Sequence, residues 1–540
     1  PTGYHVVNVL LHAANALLIW RILCCLKIPG PWLAAIIFAV HPVNVESVAW
    51  ITQRKNTLCL LFFLLALLSY FRFEDREHRG WYGLAMGTFV LSMLSKGAAA
   101  PLPIVLLLCA WWRRDRIRQY DLIRSLPFFA VSALISLVEI RFQYLRAIGE
   151  DVVRDDSFLS RLAGAGWVIW FYVYKALLPF HLSFVYRRWQ IDPVNWLSYL
   201  PGLLLLGLLL LGWRYRRNWG RPILFALGYS ILMLLPVLGF FNIYYMKYSF
   251  VADHYQYLSI IGVITLAVAA LWQVAQQFVK IAMPLAGMVS LLVVAILGWL
   301  TWQQSSLYQD SETIWRDTLE KNPSAWMAHN NLGIELEKQG KSAEAIEQYG
   351  QALKIKPDHA KACSNLGTVL LVQGNLVAAI PQFQRVIELL SHEMGADDST
   401  CQPDPTLVKA HNNLAIALLS KGRTQEALKH FREAIRLEPD HLRPLKSIAW
   451  TLATHPDSIV RNAREAVALA ERAAKLTGSQ DASILDTLAA AYAASGHFDL
   501  AVSTAERAIA LAQHLDNEAL ARDVQLRLSL YRQEQPYRDV

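Results

Sequence analysis

Along the first three hundred positions, apolar runs alternate with short charged stretches. A helix crossing a bilayer needs roughly 20 mostly apolar residues. The pattern predicts ten such helices, at about 5–26, 32–50, 56–73, 81–95, 98–112, 123–142, 196–213, 222–241, 250–272 and 281–302. One more apolar segment, 161–179, carries Trp167, Trp170, Phe171, Tyr172 and Tyr174. Aromatic residues collect at membrane–water interfaces, so this segment is expected to be interfacial or re-entrant. Beyond residue 303 the pattern changes to short amphipathic helices of helical period.

Two polar features interrupt the apolar half. In "YHVVNVLLHAANALL" His5, Asn8, His12 and Asn15 recur at spacings of 3, 4 and 3, which places them on one helix face. A polar stripe is costly in lipid, so that face should look into a bundle, where interhelical hydrogen bonds are the expected role of Asn8, His12 and Asn15. His5 and His12 lie about two turns apart, too far to chelate one ion unaided, and no metal site is expected. The second feature is "FAVHPVNVESVAWITQRKN", residues 38–56. Its His41-Pro42 should break or kink the chain. Glu46, Trp50, Gln53 and Arg54 follow at i, i+4, i+7 and i+8, the spacing of one helix face.

The C-terminal pattern is repetitive. "AHNNLGIELEKQGKSAEAIEQYGQALKIKPDH" (328–359) and "AHNNLAIALLSKGRTQEALKHFREAIRLEPDH" (410–441) are copies of one unit, with a third at 362–390 and diverged ones at 446–476 and 484–513. Asn331 to Asn365 is 34 residues, and so is Asn413 to Ser447; the interval between these pairs implies an insert near 391–405. The period, with small or aromatic residues at matching places, is that of tetratricopeptide helix pairs, which stack into a superhelix with a concave face. "SETIWRDTLEKNP" (311–323) reads as the second helix of a partial first unit. Asn331, Asn365 and Asn413 occupy one equivalent position. They are expected either to form an amide ladder that holds an acceptor polypeptide by its backbone, with Asn330 and Asn412 as further contacts, or to bind water only.

The expected architecture is therefore all-α: a polytopic membrane helix bundle over 1–303, then a tetratricopeptide-repeat α-solenoid over 304–540. Charge divides in the same way. The chain carries a formal net charge of +8, yet from Asp310 onward there are 25 Lys and Arg against 30 Asp and Glu, leaving 26 and 13 for the apolar half. Excess base beside apolar spans points to a membrane and away from nucleic acid. The loops 71–80, 113–121 and 213–221 are basic and should be cytoplasmic; the acidic "GEDVVRDD" (149–156) should face the other way. Ten crossings then put the Glu46 stretch, residues 244–257 and the repeats outside the cytoplasm. Arg54, Lys55, Lys96, Arg187, Arg188 and Lys247 fall on that side, against the charge rule. Either they snorkel or pair with Glu46, Asp192 and Asp253, or several surround an anionic headgroup such as a lipid-linked phosphate.

Six cysteines show neither zinc spacing nor a disulfide framework. Cys363 and Cys401 could pair only in an oxidising compartment. The chain opens at Pro1-Thr2-Gly3 without an initiator Met, so further sequence is expected upstream.

The segments "GYHVVNVLLHAANALL", "AAIIFAVHPVNVESVAWITQRKNTLCLLFFLLALLSYF", "MLSKGAAAPLPIVLLL", "RLAGAGWVIWFYVYKALLPFHLSFVY" and "VADHYQYLSIIG", followed by repeats, closely resemble the transmembrane and tetratricopeptide-repeat O-mannosyltransferase family and its bacterial relatives. The resemblance covers nearly the whole chain and rests on the order of the motifs. It implies a GT-C type fold and transfer of a mannose-like sugar, with inversion, from a polyprenyl-phosphate donor to Ser/Thr hydroxyls of proteins on the extracytoplasmic side. It implies no certain cofactor. The expected setting is a bacterial inner membrane with periplasmic repeats, or an endoplasmic-reticulum membrane with lumenal repeats.

Such a reaction needs a carboxylate for the hydroxyl proton and cations for the departing phosphate. The resemblance places the main carboxylate upstream of residue 1 and makes Glu46 a secondary catalytic acid with Arg54 nearby. It implies donor-phosphate contacts at Arg54, Lys96, Lys247 and His254, and a site lined by His5, His41, Asp253 and Tyr257. Two departures stand out: His254 occupies the place of the family's usual Arg in "ADRY", and "SKGAAAPLP" lacks the usual Pro or Glu after Lys96. The alternative function is a non-catalytic membrane scaffold whose repeats assemble envelope or secretion partners. Extracytoplasmic cations beside Glu46 favour the enzyme, because a scaffold has no need of them near lipid.

Overall fold

The computed structural model describes residues 2–148, 153–277, 279–391 and 404–539, which are helical with connecting turns and contain no strand. They form two compact units, 1–328 and 329–540.

The first unit is built from α1 (Thr2–Cys25), α2 (Pro31–Ala39), α3 (Val45–Ala49), α4 (Arg54–Arg76), α5 (Arg79–Ser95), α6 (Leu102–Arg114), α7 (Gln119–Phe142), α8 (Phe158–Leu177), α9 (Leu200–Arg214), α10 (Gly220–Leu234), α11 (Ile260–Gln277), α12 (Val279–Ser306) and α13 (Ser311–Lys321). The polar face of α1 points inward as expected: Asn8, His12 and Asn15 are buried with Ile19 and Leu23, while Val9, Leu10 and Leu17 are exposed on the opposite face. Asn8 donates to Val48 O, Asn15 to Thr57 O, and His12 meets Ala39 O and the Tyr257 hydroxyl. Exposed leucines on α7 and α9, and Leu291 and Leu292 on α12, give the bundle an apolar perimeter. For backbone hydrogen-bonded within helices, that perimeter is the surface a bilayer accepts.

Among the described residues six helices are long and apolar enough to cross a membrane, or seven if the bent pair 31–39 and 42–49 is one span. α5 and α6 are shorter, with 17 and 13 residues. The expected span at 250–272 begins only at Ile260, because the segment before it, ending in the turn Asp253–Tyr255, is not α-helical. α8, the interfacial segment of the sequence reading, is not among the six. The His41-Pro42 break is present and bends the pair by 50°. His41 stabilises it by accepting from Val43 N–H on Nδ1 and donating from Nε2 to Ala176 O.

The three basic loops meet at one end of the unit. Arg113 and Arg114 pair with Glu74, Asp75 and Asp121, and Arg221 pairs with Asp115. Ion pairs thus join the loops that the charge rule assigns to one side.

The boundary between the two compact units falls at 328/329. α13, read from the sequence as the second helix of a partial first repeat, packs on loops of the first unit: Lys321 Nζ donates to Leu182 O at 2.7 Å, Asn322 to Val185 O, and Trp315 lies edge-on to Phe184.

The second unit stacks helix pairs: α14 (Trp326–Lys338) with α15 (Ser342–Ile355), α16 (Ala360–Val372) with α17 (Leu376–Ser391), α18 (Pro405–Ser420) with α19 (Thr424–Leu437), α20 (Leu442–Thr454) with α21 (Ala463–Leu476), and α22 (Ala482–Ala494) with α23 (Phe498–His514), closed by α24 (Glu518–Tyr531). The repeat signature has a packing cause. Gly333 and Gly367 sit against the buried rings of Tyr349 and Phe383, where a Cβ would come within 2.6 and 2.8 Å. Most of the expected insert, residues 392–403, and with it Cys401, lies outside the described residues.

Candidate active site around Glu46 and His254

The His41-Pro42 break ends one helix and lets the five-residue α3 start at a new angle, which carries Glu46 into the protein. Glu46 is 2% exposed. It receives the main-chain N–H of His254 at 2.9 Å on one oxygen and lies 2.7 Å from His254 Nδ1 on the other. The His254 ring is enclosed by Trp50, Tyr245 and Tyr255. Burial lowers its pKa, opposed by the Glu46 charge.

Lys96 reaches the same place from the end of α5. Its ammonium donates to Asn56 Oδ1 at 2.6 Å and lies 5.5 Å from the Tyr255 ring centroid. Asn56, fully buried, donates in turn to Ser47 Oγ and to His254 O. One amide therefore couples the ammonium to the histidine turn. Burial, with help from Lys55, lowers the Lys96 pKa to about 8, while Cys59, Glu46 and Glu139 pull it back.

Asp253 is the second buried acid. Tyr186 donates its hydroxyl to Asp253 at 2.8 Å. Burial and then the Glu46 charge push the Asp253 pKa well above the carboxylate range, against the Tyr186 bond, Lys175 and Lys321. Glu46, bonded to His254, and Asp253, bonded to Tyr186, are two acids of unlike environment on either side of one turn, the kind of pair that catalytic sites use to divide proton and charge roles. Nearby polar groups are unusually short of partners: Gln53 Oε1 and both amide atoms of Gln256 are buried with no hydrogen bond. Buried orphans of this kind ask for a ligand or water.

Glu46, His254, Asp253 and Lys96 are thus gathered, but other expected members are not. Arg54 does not share a helix face with Glu46, because α3 ends at Ala49, a 3₁₀ turn occupies Ile51–Gln53, and α4 starts afresh at Arg54. Its guanidinium instead donates to Asn8 Oδ1 and Tyr4 O and stacks over Tyr4. Lys247 lines a separate cavity of about 610 Å³ with Arg187, Arg188 and Trp189. His5 and His41 border another, of about 240 Å³, with His12 and Asn44. The Tyr257 hydroxyl is taken up by His12 and Asn15. Asn56, Tyr186 and Tyr245 were not singled out from the sequence; Asn56 sits in the polar stretch already flagged, but only the fold brings it to residue 254.

In the repeats, Asn365 donates to Asn330, Asn413 to Thr368 of the preceding repeat, Asn330 to Asn331 and Asn412 to Asn413. The asparagines therefore also join adjacent repeats.

Comparison with known proteins shows what this bundle and the repeats resemble. Residues 2–140 match the family described as dolichyl-phosphate-mannose-protein mannosyltransferase, a stretch that contains Glu46, Asn56 and Lys96. Tetratricopeptide repeats match at 297–353, 331–393 and 408–441. A protein O-mannosyl-transferase of Caenorhabditis elegans is 23% identical over 66% of this chain and 51% of its own length. Protein O-mannosyl-transferase TMTC3 of Homo sapiens is 23% identical over 82% of this chain and 52% of its own. Protein O-mannosyl-transferase TMTC2 of Mus musculus reaches 40% identity over 101 residues, 18% of this chain and 12% of its own. The chain spans about half the length of the first two of these relatives. The resemblance to the transmembrane and tetratricopeptide-repeat O-mannosyltransferases is borne out.

Proposed function

We propose that this protein is a membrane glycosyltransferase that moves a mannose-like sugar from a polyprenyl-phosphate donor to Ser/Thr hydroxyls of polypeptides on the extracytoplasmic side. Its setting is a bacterial inner membrane with the repeats in the periplasm, or the endoplasmic-reticulum membrane with the repeats in the lumen. The observation that carries the proposal is the buried Glu46–His254 pair with Lys96 held beside it through Asn56.

In this reading the bond from sugar C1 to the phosphate oxygen breaks, the acceptor oxygen bonds to C1, and polyprenyl phosphate leaves. The Lys96 ammonium stabilises the charge on the leaving phosphate. Arg54 and Lys247 stand away from this cluster, so Lys96 is the cation the proposal relies on. The repeats present the acceptor, with the amide groups of Asn331, Asn365 and Asn413 along its backbone.

The test is to supply purified protein in liposomes with a polyprenyl-phosphate mannose and a Ser/Thr peptide. Label should enter the peptide and should not enter its Ala counterpart. No transfer by intact protein removes the reading and leaves the scaffold.

A further inference from the structure

His254 has two ring nitrogens in different situations. Nδ1 faces a carboxylate oxygen of Glu46 at 2.7 Å, and the same carboxylate accepts the His254 main-chain N–H. A carboxylate at Nδ1 makes that nitrogen the N–H of the neutral ring, so the lone pair is on Nε2. Among the described residues Nε2 has no hydrogen-bond partner, and it is not one of the fully enclosed unpaired atoms. Glu46 from α3, Lys55 and Lys96 from the ends of α4 and α5, Tyr245, and Asp253 and Tyr255 of its own turn are the titratable groups around the ring. Burial favours the neutral imidazole.

We propose that His254 Nε2 is a proton acceptor of the transfer reaction and that Glu46 is its positioning residue. The proposal rests on the glycosyl-transfer reading above. The acceptor O–H breaks and its proton goes to Nε2, giving an imidazolium whose charge Glu46 balances. The freed oxygen bonds to sugar C1, and the electron pair of the C1–O bond leaves with the polyprenyl phosphate. The imidazolium then returns its proton to solvent. A carboxylate that fixes the tautomer and balances the imidazolium is the arrangement by which acid–histidine pairs act as general bases. It gives the described residues a base of their own beside the carboxylate that the resemblance places upstream.

The experiment uses the full chain in liposomes, polyprenyl-phosphate mannose and a Ser/Thr peptide, followed from pH 5 to 9. Wild-type kcat should fall tenfold per pH unit below the His254 titration. His254→Gln should lose about 10²–10⁴ in kcat, with KM for the donor within about threefold. Glu46→Gln removes the group that raises the His254 pKa, so its residual activity should show the acid limb displaced to lower pH. His254→Arg should not restore kcat. Wild-type kcat with an unchanged pH profile in His254→Gln, or kcat retained with a lower donor KM in His254→Arg, overturns the proposal and leaves the transfer reading standing. No transfer by wild type at any pH removes both. If the variants fail to fold, diethyl pyrocarbonate on the wild type decides: modification of His254, followed by mass spectrometry, should inactivate with the same time course, and modification without loss of transfer overturns the proposal.

Discussion

Glu46 and His254 stand 208 positions apart and hold each other through two contacts, a main-chain N–H to one carboxylate oxygen and a ring nitrogen to the other. The break at His41-Pro42 aims one partner and the Asp253–Tyr255 turn presents the other. One is the bend between the paired helices 31–39 and 42–49, the other a 3₁₀ turn. The site is built where helices stop.

Asn56 is the joint between this pair and Lys96. Asn56→Ala would leave the buried Ser47 hydroxyl and His254 carbonyl without their amide and free the Lys96 ammonium. Each buried group left unpaired costs about 1–3 kcal/mol. A lower thermal midpoint of the detergent-solubilised protein is expected, with weaker retention of polyprenyl phosphate. An unchanged midpoint would mean that the joint bears no load.

Asp253 gives a stability test with a definite sign. Its folded pKa is raised above the unfolded value. Its contribution to stability is therefore full below the unfolded pKa and is lost as pH rises through the folded pKa. Asp253→Asn can still accept from Tyr186 and removes the buried charge. The variant should exceed wild type in stability at neutral pH and match it near pH 3 in thermal unfolding. A variant less stable at neutral pH and equal only at pH 3 would reverse the assigned sign.

Two repeat glycines should respond in opposite directions. Gly367→Ala drives a Cβ against Phe383 and should cost about 1–3 kcal/mol. Gly350 lies inside α15 with nothing within 4 Å of its Cβ position, and Gly350→Ala should gain up to about 1 kcal/mol from helix propensity. Chemical denaturation of the full chain, followed by a probe in the repeats, reads both.

The sidedness of the bundle is tested by cysteine labelling on a cysteine-free background. Asp115→Cys, in the cluster of basic loops, should react with a membrane-impermeant maleimide only from the cytoplasmic side. Arg187→Cys should react only from the other side. The reverse pattern would move the proposed chemistry to the cytoplasm.

Periodicity predicted α1 and its inward polar stripe, α4, α7, α9, α12 and the repeat pairs, because a single physical requirement, an apolar face or span, writes those elements into the sequence. It over-extended the span at 250–272, where backbone that is not α-helical passes through buried, mostly apolar surroundings and looks like membrane helix in composition. It placed Glu46 and Arg54 on one helix face, because spacing alone does not register that α3 ends after five residues. Glu46, Asp253, Lys96 and His254 were legible as polar residues in an apolar context. That Asn56 ties Lys96 to the His254 turn depends on contacts across 40 and 198 positions, which no local pattern encodes.

If sugar transfer depends on the Glu46 site, Glu46→Gln should abolish it. Its carboxamide keeps the size of the side chain and removes the charge that faces His254. In reconstituted full-length protein, at matched expression and with an unshifted size-exclusion profile, transfer to a Ser/Thr peptide at neutral pH should fall at least about a hundredfold. Transfer at the wild-type rate would contradict the account.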